Sequence, residues 1–367
     1  MSTPRTALIV AGGRGTRLLP LTERTPKPML DFCGAPFLAG LARRLGAAGV
    51  QRIGLVVGAD TAPFLPLVDL LAPHGLEVVL VPEPEPLDTA GGVRAATIGR
   101  DEAVLVLNGD VLSDLDVTAL CAHHATTGAT VTISLTRVED TSTFGVCVMD
   151  GDRITAFVEK PAPGTLPGQD TVNAGAYVLS AGALARFPEG PLSFEREVFP
   201  TLLEAGERIT GHVHGGVWTD LGTPERFLAG QRLVMDGAMA WPPLLDLADL
   251  GALEERPSRE GVLVGSDVRI ASDARLDPPV VIGDGVSIGS GAAVGPHVVI
   301  GPGAHVGDGA DLADSLVGAG ALVGQRAVLS EALVAGGVRI AAGAQVAGPV
   351  GPAASAAPAG PAADGQG

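Results

Sequence analysis

An internal repeat in the carboxyl-terminal third constrains the fold of this chain more than any other feature. Aliphatic residues recur every six positions from Val264 to Leu312, and two five-residue steps carry the pattern on through Val317 and Val334 to Val346. Small residues, mostly glycine, follow many of these side chains. A six-residue period is typical of a left-handed parallel β-helix, in which coils with three short faces stack and bury their aliphatic residues. The repeat therefore predicts such a β-helix over residues 261–350, with about five coils.

The first two thirds of the chain has a different pattern, in which strand and helix signals alternate. Short apolar runs at residues 7–11, 53–57, 78–81 and 103–107 are typical of buried parallel strands, and a helical pattern covers residues 37–48. Further strand patterns follow at residues 130–135, 145–149 and 154–158. This order predicts an α/β fold with a Rossmann-like mixed sheet, whose ligands bind beyond the carboxyl ends of the strands.

These patterns divide the chain into four predicted segments. Residues 1–235 form a catalytic domain, residues 236–260 an acidic and polar connector, and residues 261–350 the β-helix. Residues 351–367 consist almost entirely of alanine, proline, glycine and a few polar residues, so they lack the apolar side chains that a core requires. We expect this tail to be disordered.

The composition excludes several classes of protein. A net charge of −17 argues against a surface for nucleic acid or anionic membrane, so we expect neither partner. The amino terminus has too few apolar residues for a signal peptide, and no apolar run approaches a membrane span. The cysteines, Cys33, Cys121 and Cys147, lack the spacing of a metal site and are expected to be reduced thiols. Together these features predict a cytoplasmic protein.

The first predicted strand runs into a glycine-rich loop that is suited to binding phosphate. Gly12, Gly13 and Gly15 leave the backbone amides open to an anion, and Arg17 can place its guanidinium fork on phosphate oxygens. The loop is neither a Walker loop, which needs a lysine directly after its last glycine, nor a dinucleotide fingerprint, which needs a glycine where this chain has Leu18. On its own, such a turn can equally be structural.

The lysines of this chain are unusually informative. The chain has 24 basic residues, and all of them are arginine except Lys27 and Lys160. A bias of the genome towards arginine would leave such exceptions at ordinary surface positions, but both lie beside proline within candidate motifs. Because lysine is a compact point charge and arginine a planar fork, the two do not replace each other at a tight phosphate site.

Carboxylates follow several of the predicted strands. Asp110 ends the segment Asn108–Asp110, Glu159 and Lys160 follow another strand, and Asp220 precedes a helix that begins with proline. A carboxylate at the end of a buried strand is a typical ligand for Mg²⁺. Each position also has a structural alternative, because Asn-Gly is a hairpin signal, Glu-Lys is a common surface ion pair, and aspartate is a common turn residue.

Between these motifs lies the segment from Glu83 to Val93, which is rich in proline and glycine. Its composition predicts an irregular loop before a helix that starts near Val93. By spacing alone, the segment is no more than a connection between elements.

The string from Leu8 to Met29 resembles the signature of the sugar-phosphate nucleotidylyltransferases. The resemblance extends over residues 6 to about 235 through several motifs in the family's order, including Phe144–Val146, Asn173–Gly175 and Ser193–Pro200. It implies transfer of a nucleotidyl group from a nucleoside triphosphate to a sugar 1-phosphate, with Mg²⁺ as cofactor. The layout of the whole chain and the Thr-Ala-Gly loop are most similar to the mannose-1-phosphate guanylyltransferases, which implies GTP and mannose 1-phosphate as substrates.

The resemblance also implies roles for individual residues. The implied catalytic residues are Arg17, Lys27, Asp110 and Lys160, and the implied metal ligands are Asp110 and Asp220. The implied residues for the sugar phosphate are Gly145, Glu159, Lys160 and Asn173. The implied nucleotide-binding residues are Ala11, Gly12, Gly13, Gly15, Thr16, Arg17, Thr89, Ala90 and Gly91.

Several alternatives remain open from the sequence. Family members that use GTP often carry glycine where this chain has Asp88, so a thymidylyl-, uridylyl- or adenylyltransferase acting on glucose 1-phosphate is possible. A non-catalytic regulatory paralogue is another alternative, although the presence of Lys27, Asp110, Lys160 and Asp220 argues against it. Many hexapeptide β-helices are acyltransferases, for which His297 and His305 are the candidate bases. We instead expect the β-helix to assemble a homo-oligomer.

Overall fold

The computed structural model describes residues 3–242, the backbone of residues 248–249, and residues 261–352. Most of the predicted connector and the predicted disordered tail from residue 353 onward lie outside the described residues. The described chain divides into two compact units. The first contains the described parts of Met1–Gly13 and Leu41–Thr219, and the second those of Arg14–Gly40 and Asp220–Gly367. The predicted domain boundaries at residues 235, 260 and 350 stay predictions.

The first unit is built on a nine-stranded mixed sheet, as the alternating pattern predicts. Its strands lie side by side in the order β3-β2-β1-β4-β9-β6-β10-β8-β7, and β5 pairs with β11 in a separate small sheet. The strands are β1 (Thr6–Val10), β2 (Arg52–Gly58), β3 (Glu77–Glu83), β4 (Val104–Asn108), β5 (Val111–Ser113), β6 (Val131–Arg137), β7 (Gly145–Asp150), β8 (Arg153–Glu159), β9 (Thr171–Leu179), β10 (Ile209–Val213) and β11 (Trp218–Asp220).

The first four strands of this order are parallel, which aligns the loops that follow them. In the register of the sheet, Val10 of β1 lies opposite both Val56 of β2 and Asn108 of β4. The carboxyl ends of β1 and β4 are therefore neighbours at one edge of the sheet. This register places the loop that begins at Ala11 beside the turn that contains Asp110.

Helices connect the strands, and α4 (Val117–Thr127) is capped at both ends. Asp116 precedes α4, and its carboxylate accepts a hydrogen bond from the Ala119 amide at 2.9 Å, whereas Gly128 ends the helix with a φ of 61°. The helices are α1 (Phe37–Ala47), α2 (Leu65–Leu71), α3 (Asp88–Thr97), α4 (Val117–Thr127), α5 (Phe199–Glu204) and α6 (Pro224–Met235). A π-helical turn (Phe194–Val198) and 3₁₀ turns at Thr16–Leu18, Leu21–Glu23, Lys27–Met29, Ala62–Phe64 and Ala72–His74 complete the helical elements.

The start of α3 corrects the sequence prediction. The helix begins at Asp88 rather than near Val93, so the Thr89–Gly92 segment is its first turn and not an irregular loop. Glycine is unfavourable inside a helix, but here its small size is needed. A Cβ on Gly91 would lie 2.6 Å from the carbonyl oxygen of Gly190, and one on Gly92 would collide with the Glu83 carboxylate. Close packing of the helix therefore overrides the local propensity of the two glycines.

The carboxyl-terminal part of the second unit consists of short parallel strands in one ten-stranded and one five-stranded sheet, which also include a two-residue antiparallel strand at Ala248–Asp249. Ile282 pairs with Ile300, 18 residues later, whereas Ile300 pairs with Val317, 17 residues later, because a five-residue step in the repeat shortens the separation of the paired residues by one. The parallel strands are Val262–Val264, Arg269–Ile270, Arg275–Leu276, Val280–Ile282, Ser287–Ile288, Ala293–Val294, Val298–Ile300, His305–Val306, Asp311–Ala313, Leu316–Val317, Leu322–Val323, Val328–Val334, Arg339–Ile340 and Gln345–Val350.

The aliphatic positions of the repeat form the core of these sheets. All of them belong to one buried cluster except Ile270, which packs against it. The sequence interpretation of the repeat as an inward-facing aliphatic ladder is therefore confirmed at the level of burial and parallel pairing.

A second apolar column on the same strands was not predicted. It contains Leu263, Val281, Val299, Leu316 and Leu333, which pair in register along one sheet. These residues alternate with the inward-facing ones and so point to the opposite face. Four of the five are nevertheless buried, Leu263 being half-buried. Other parts of the second unit lie next to this face, because a cavity of about 240 Å³ is lined by Leu263 and Val281 together with Phe32, Val234 and Trp241.

Charged contacts also join α6 to the turns of the parallel sheets. Arg232 pairs with Asp314 at 2.7 Å and with Glu331 at 3.0 Å. His297, one of the two candidate acyl-transfer bases, has Asp236 at 2.7 Å from Nε2 and Asp314 at 3.3 Å from Nδ1. Both ring nitrogens of His297 therefore take part in a structural contact.

Two further observations bear on the class of protein. Cys33, Cys121 and Cys147 are all free, with Cys121 and Cys147 buried and Cys33 half-buried. Within the described residues, no helix combines the length and the apolar character needed to cross a bilayer.

Candidate active site

The glycine loop continues β1 at the edge of the first unit's sheet. The Ala11 amide donates to the Val56 carbonyl at 2.8 Å, so the loop leaves the sheet only after Ala11. Gly12 and Gly13 are exposed, and a Cβ on Gly13 would meet nothing within 4 Å. Their amides are therefore accessible to an anion from solvent.

The turn that carries Asp110 packs directly against β1. The Gly109 amide donates to the Val10 carbonyl at 2.8 Å, and a Cβ on Gly109 would approach that oxygen to 2.9 Å. Because β5 pairs with β11 and not with β4, the Asn108–Gly109 dipeptide does not form the β-hairpin considered as its structural alternative. Asp110 is half-buried and directly follows Gly109, which packs against Val10 and Ala11.

Asp88 occupies a backbone conformation that normally requires glycine. Its φ is 61°, in the left-handed region that aspartate tolerates better than most residues. One carboxylate oxygen accepts a hydrogen bond from the Thr89 amide at 2.8 Å, and the other pairs with Arg196. A glycine at position 88 would adopt the same positive φ without strain, so this backbone conformation suits either residue.

The Glu83 carboxylate lies next to the glycine loop at Gly12 and next to the first turn of α3 at Gly92. It is 8% exposed, its Oε1 atom adjoins Gly92, and a Cβ on Gly12 would lie 3.4 Å from its Oε2 atom. Burial raises the pKa of Glu83, and the backbone amides of Leu87 and Gly92 partly oppose this effect by donating hydrogen bonds to the carboxylate. The sequence analysis did not identify Glu83 as a site residue.

The residues predicted to bind the sugar phosphate gather on β7, β8 and β9. Gly145 pairs across the sheet with Glu159, and a Cβ on Gly145 would lie 2.9 Å from the Glu159 carboxylate. Lys160 extends into solvent, with a side chain 64% exposed, and its ammonium group lies 3.0 Å from Glu159. This pair is the surface contact foreseen as the structural alternative, and its exposure leaves Lys160 free to bind a phosphate.

Asn173 is fixed by hydrogen bonds within the same wall. Its side-chain amide donates to the Tyr177 hydroxyl at 2.8 Å, and its carbonyl oxygen accepts from the Gly175 amide at 2.9 Å. The Trp218 indole donates to the Ala174 carbonyl at 2.9 Å and packs edge-on against Phe144. Tyr177 and Trp218 thus support the predicted sugar pocket, although neither was itself predicted as a site residue.

The remaining predicted residues form a second group within the second unit. Gly15 has a φ of 59°, and a Cβ there would lie 2.9 Å from the Lys27 Cβ. Lys27 is 7% exposed, which is unusual for lysine, whereas Thr16 and Arg17 are exposed. The structure thus shows Lys27 packed directly against the glycine turn.

Arg17 and Asp220 meet at Gly222. A Cβ on Gly222 would lie 2.6 Å from the Arg17 guanidinium and would collide with the Asp220 carboxylate. Asp220 accepts a hydrogen bond from the Gly222 amide at 3.0 Å and pairs with Arg226. A glycine at position 222 is therefore what allows these two charged side chains to come close together.

Comparison with known families identifies the family to which the chain belongs. The nucleotidyl transferase family model matches residues 6–237, and the model of the GMPPB C-terminal domain matches residues 277–354. The chain belongs to the nucleotidyl transferase family. The family assignment made from the sequence is thereby confirmed.

Individual relatives of this nucleotidyltransferase include proteins named as mannose-1-phosphate guanylyltransferases. It is 40% identical over 242 residues to "Mannose-1-phosphate guanylyltransferase" of Mycobacterium tuberculosis, a match covering 65% of this chain and 67% of that protein. It is 36% identical over 240 residues to "Probable mannose-1-phosphate guanylyltransferase 2" of Arabidopsis thaliana, covering 63% of this chain and 65% of that one. The crystal structure of HddC from Yersinia pseudotuberculosis matches with a TM-score of 0.54 and 28% identity, covering 62% of this chain and 99% of HddC.

The donor chemistry of the nucleotidyltransferase suits a hard divalent cation. Asp110 and Asp220 offer carboxylate oxygens, the ligands that Mg²⁺ prefers in company with substrate phosphates. Across the part of the chain that the structure describes, no cluster of three or more His, Cys, Asp and Glu side chains could hold a metal by itself. Each aspartate by itself therefore offers the kind of ligand that such a cation prefers when it binds together with phosphates.

Proposed function

We propose that this nucleotidyltransferase transfers the guanylyl group of GTP to mannose 1-phosphate, forming GDP-mannose and pyrophosphate. The observation that carries the proposal is the 40% identity to a mannose-1-phosphate guanylyltransferase over 242 residues. The match of the carboxyl-terminal region to the GMPPB C-terminal domain supports it. So does the similarity to HddC, which has also been crystallised in complex with GMP-PN.

In the proposed reaction a phosphate oxygen of mannose 1-phosphate attacks the α-phosphorus of GTP. A new P–O bond forms there, the bond from the α-phosphorus to the bridging oxygen breaks, and pyrophosphate leaves with the electron pair. The nucleophile is already an anion, so no base and no covalent enzyme intermediate are required. Catalysis then rests on positioning the two substrates and stabilising the charge that develops.

The nucleotide-binding roles are proposed from the family resemblance and supported by the local geometry. The exposed Gly12 and Gly13 amides bind phosphate oxygens, and Arg17 binds the leaving pyrophosphate through its guanidinium fork. Lys27 places its charge near the α-phosphate, and its burial against Gly15 supports a fixed position. Residues Ala11, Gly15, Thr16 and Thr89–Gly91 complete the proposed nucleotide site.

The acceptor roles follow the arrangement of β7, β8 and β9. Glu159 accepts hydrogen bonds from sugar hydroxyls, and Lys160 binds the phosphate of the incoming sugar. Gly145 leaves room beside Glu159, and Asn173 is held by its bond to Tyr177 in an orientation that can contact the sugar.

Mg²⁺ is the cofactor that we propose for this reaction. Asp110 and Asp220 would hold it, and when bound it would neutralise part of the charge on the substrate phosphates. The role of each carboxylate is to provide negative oxygen ligands, and Asp220 is oriented for this by the Gly222 amide.

Finer features of architecture belong to the same proposal. The 18- and 17-residue registers and the parallel pairing support three short strands per coil, and we propose that these coils form a left-handed β-helix.

We also propose a homo-oligomer in the cytoplasm, with substrates GTP and mannose 1-phosphate. Light scattering coupled to gel filtration tests the assembly, and a monomeric mass would overturn it.

The deciding experiment measures pyrophosphate release with Mg²⁺ from a matrix of nucleoside triphosphates and sugar 1-phosphates. We expect release to be fastest with GTP and mannose 1-phosphate, and the product to have the mass of GDP-mannose. Faster release with another pair would keep the reaction and overturn the proposed substrates. No release from folded protein with any pair would overturn the enzymatic function.

A further inference from the structure

The π-helical turn Phe194–Val198 lies against the first turn of α3, which contains part of the proposed nucleotide site. The backbone joins the two segments twice, because the Ala90 amide donates to the Leu192 carbonyl at 2.8 Å and the Leu192 amide donates to the Leu87 carbonyl at 3.0 Å. These bonds fix the backbones but leave the orientation of the Thr89 side chain undetermined.

Glu195 determines that orientation. The Thr89 hydroxyl donates to the Glu195 Oε2 atom at 2.8 Å and accepts a hydrogen bond from the Phe194 amide at 2.9 Å. The Ser193 hydroxyl donates to the same Oε2 atom at 3.1 Å and also caps the turn by accepting from the Arg196 amide. The single proton of the Thr89 hydroxyl is therefore directed at a carboxylate that is itself held in place.

The same turn also reaches the wall of the proposed sugar pocket. The Phe194 ring lies 5.0 Å from the Tyr177 ring, and the Tyr177 hydroxyl accepts a hydrogen bond from Asn173. Burial raises the pKa of Tyr177 well above its ordinary value, and the negative charge of Glu195 adds to this effect. Glu195 therefore lies where it can influence both substrate regions of the first unit.

Two contacts join a side chain of one segment to a side chain of the other. Of these, the Thr89–Glu195 hydrogen bond is the stronger candidate for holding the first turn of α3 in place. Arg196 also pairs with Asp88, but the Arg196 side chain is 64% exposed, and exposed ion pairs contribute little because water screens them. Glu195 is half-buried, and a hydrogen bond from a neutral hydroxyl to a partly buried carboxylate is worth more.

We propose that Glu195 is a positioning residue for the nucleotide: it acts through the Thr89 hydroxyl to hold the first turn of α3 in the conformation that binds GTP. The inference rests on the proposed function, because it takes GTP as the nucleotide. It assigns a role to a residue for which neither composition nor spacing suggested one.

The test measures GTP binding to the full-length protein by calorimetry, together with the KM for each substrate. Glu195→Met removes the acceptor at nearly constant size, and we expect GTP binding about tenfold weaker, with the KM for mannose 1-phosphate within about twofold. Glu195→Gln keeps one acceptor oxygen and should restore most of the affinity. Glu197→Met is the matched control, because Glu197 is exposed on the same turn and should not change GTP binding.

A double-mutant cycle distinguishes positioning from general damage. Thr89→Val removes the hydroxyl. If Glu195 acts through this hydroxyl, the double variant Thr89→Val with Glu195→Met should bind GTP no more weakly than the weaker-binding of the two single variants. Unchanged GTP binding in Glu195→Met, additive effects in the cycle, or a change confined to mannose 1-phosphate would each overturn the proposal. If Glu195→Met does not fold, Glu195→Ala replaces it in the binding measurement and in the cycle, and the same criteria apply. Wild-type protein that does not bind GTP would instead overturn the proposed substrate.

Discussion

At single positions, the structure explains residue types that depart from expectation. Asp88 adopts a left-handed conformation and compensates through its own side chain, which receives the Thr89 amide. Lys27, a buried lysine, packs on the glycine turn at Gly15. There φ is 59°, and a Cβ on Gly15 would lie only 2.9 Å from the Lys27 Cβ. In both cases the backbone conformation sets which side chains are possible.

Asp88 gives a direct test of this conformational argument. Asp88→Gly should fold with unchanged or higher stability and keep the KM for GTP within about twofold, because glycine adopts a positive φ without strain. Asp88→Ala should be less stable than Asp88→Gly by about 1 kcal/mol. Unfolding in urea measures the difference, and equal stability of the two variants would contradict the strain at this position.

Asp110 is the residue whose loss should affect turnover most. Asp110→Asn retains the shape but loses the charge, and we expect kcat to fall by about 10²-fold or more, the usual cost of removing a preorganised electrostatic group. Steady-state kinetics over a range of Mg²⁺ concentrations measures this effect. Asp140→Asn, at a fully exposed carboxylate, is the control. Wild-type turnover in folded Asp110→Asn would refute the metal-ligand assignment.

Lys160 should act on one substrate only. Because its exposed ammonium group is proposed to bind the sugar phosphate, Lys160→Ala should raise the KM for mannose 1-phosphate by about tenfold or more and leave the KM for GTP nearly unchanged. Initial rates with each substrate varied separately give both constants. An equal rise in both would show that the residue supports the site as a whole.

At the scale of elements, the parallel sheets of the second unit follow from periodicity. Each aliphatic residue of the repeat stacks on its equivalent in the next coil, so burial is shared along the ladder. The outer apolar column from Leu263 to Leu333 obeys the same register but is buried by other segments of the unit.

Ile300 tests the contribution of the inner ladder. It is completely buried between Ile282 and Val317, and Ile300→Ala should lower the free energy of unfolding by about 2–5 kcal/mol. Val328, whose side chain is 39% exposed on the same sheets, provides the control, since Val328→Ala should change stability by less than about 0.5 kcal/mol. Chemical unfolding followed by circular dichroism measures both, and similar losses at the two positions would contradict the assignment of Ile300 to the core.

At the scale of the whole molecule, the buried His124 and the half-buried His212 make stability depend on pH. Burial lowers the pKa values of His124 and His212, and the nearby ring of His123 lowers them further. A histidine whose pKa is lower in the folded state binds protons more readily when unfolded, so its contribution to stability is lost as the pH falls through the unfolded value near 6.5. Asp31 acts in the opposite sense, because burial raises its pKa to about 6 and protonation then favours the folded state.

His212→Asn should therefore reduce the loss of stability on acidification. Between pH 7.5 and 5.5, we expect the midpoint of thermal unfolding to fall less in this variant than in the wild type, although the variant can be less stable at every pH. His74→Asn, at an exposed histidine, should leave the pH dependence unchanged. Parallel slopes for His212→Asn and the wild type would show that His212 does not contribute to the pH dependence.

The sequence by itself determined the features that depend on local pattern. Seven of the nine strands of the mixed sheet, the inward-facing ladder from Val264 to Val346 and the family follow from apolar periodicity and from motifs of contiguous residues, whereas β9 and β10 were not predicted. Apart from the start of α3, the boundaries of the predicted elements differed by a residue or two, because the last turn of a helix or the last pair of a strand depends on its neighbours.

Only the tertiary structure decided features that depend on contacts between distant segments. The start of α3 at Asp88 depends on Gly190 and Glu83, which determine that Gly91 and Gly92 must be small. The Thr89–Glu195 bond joins residues more than 100 positions apart, and the burial of the outer column depends on segments that pack over it. Such contacts leave no periodic signal, because the free energy that selects them comes from packing and from satisfying buried polar groups rather than from the conformational preference of neighbouring residues.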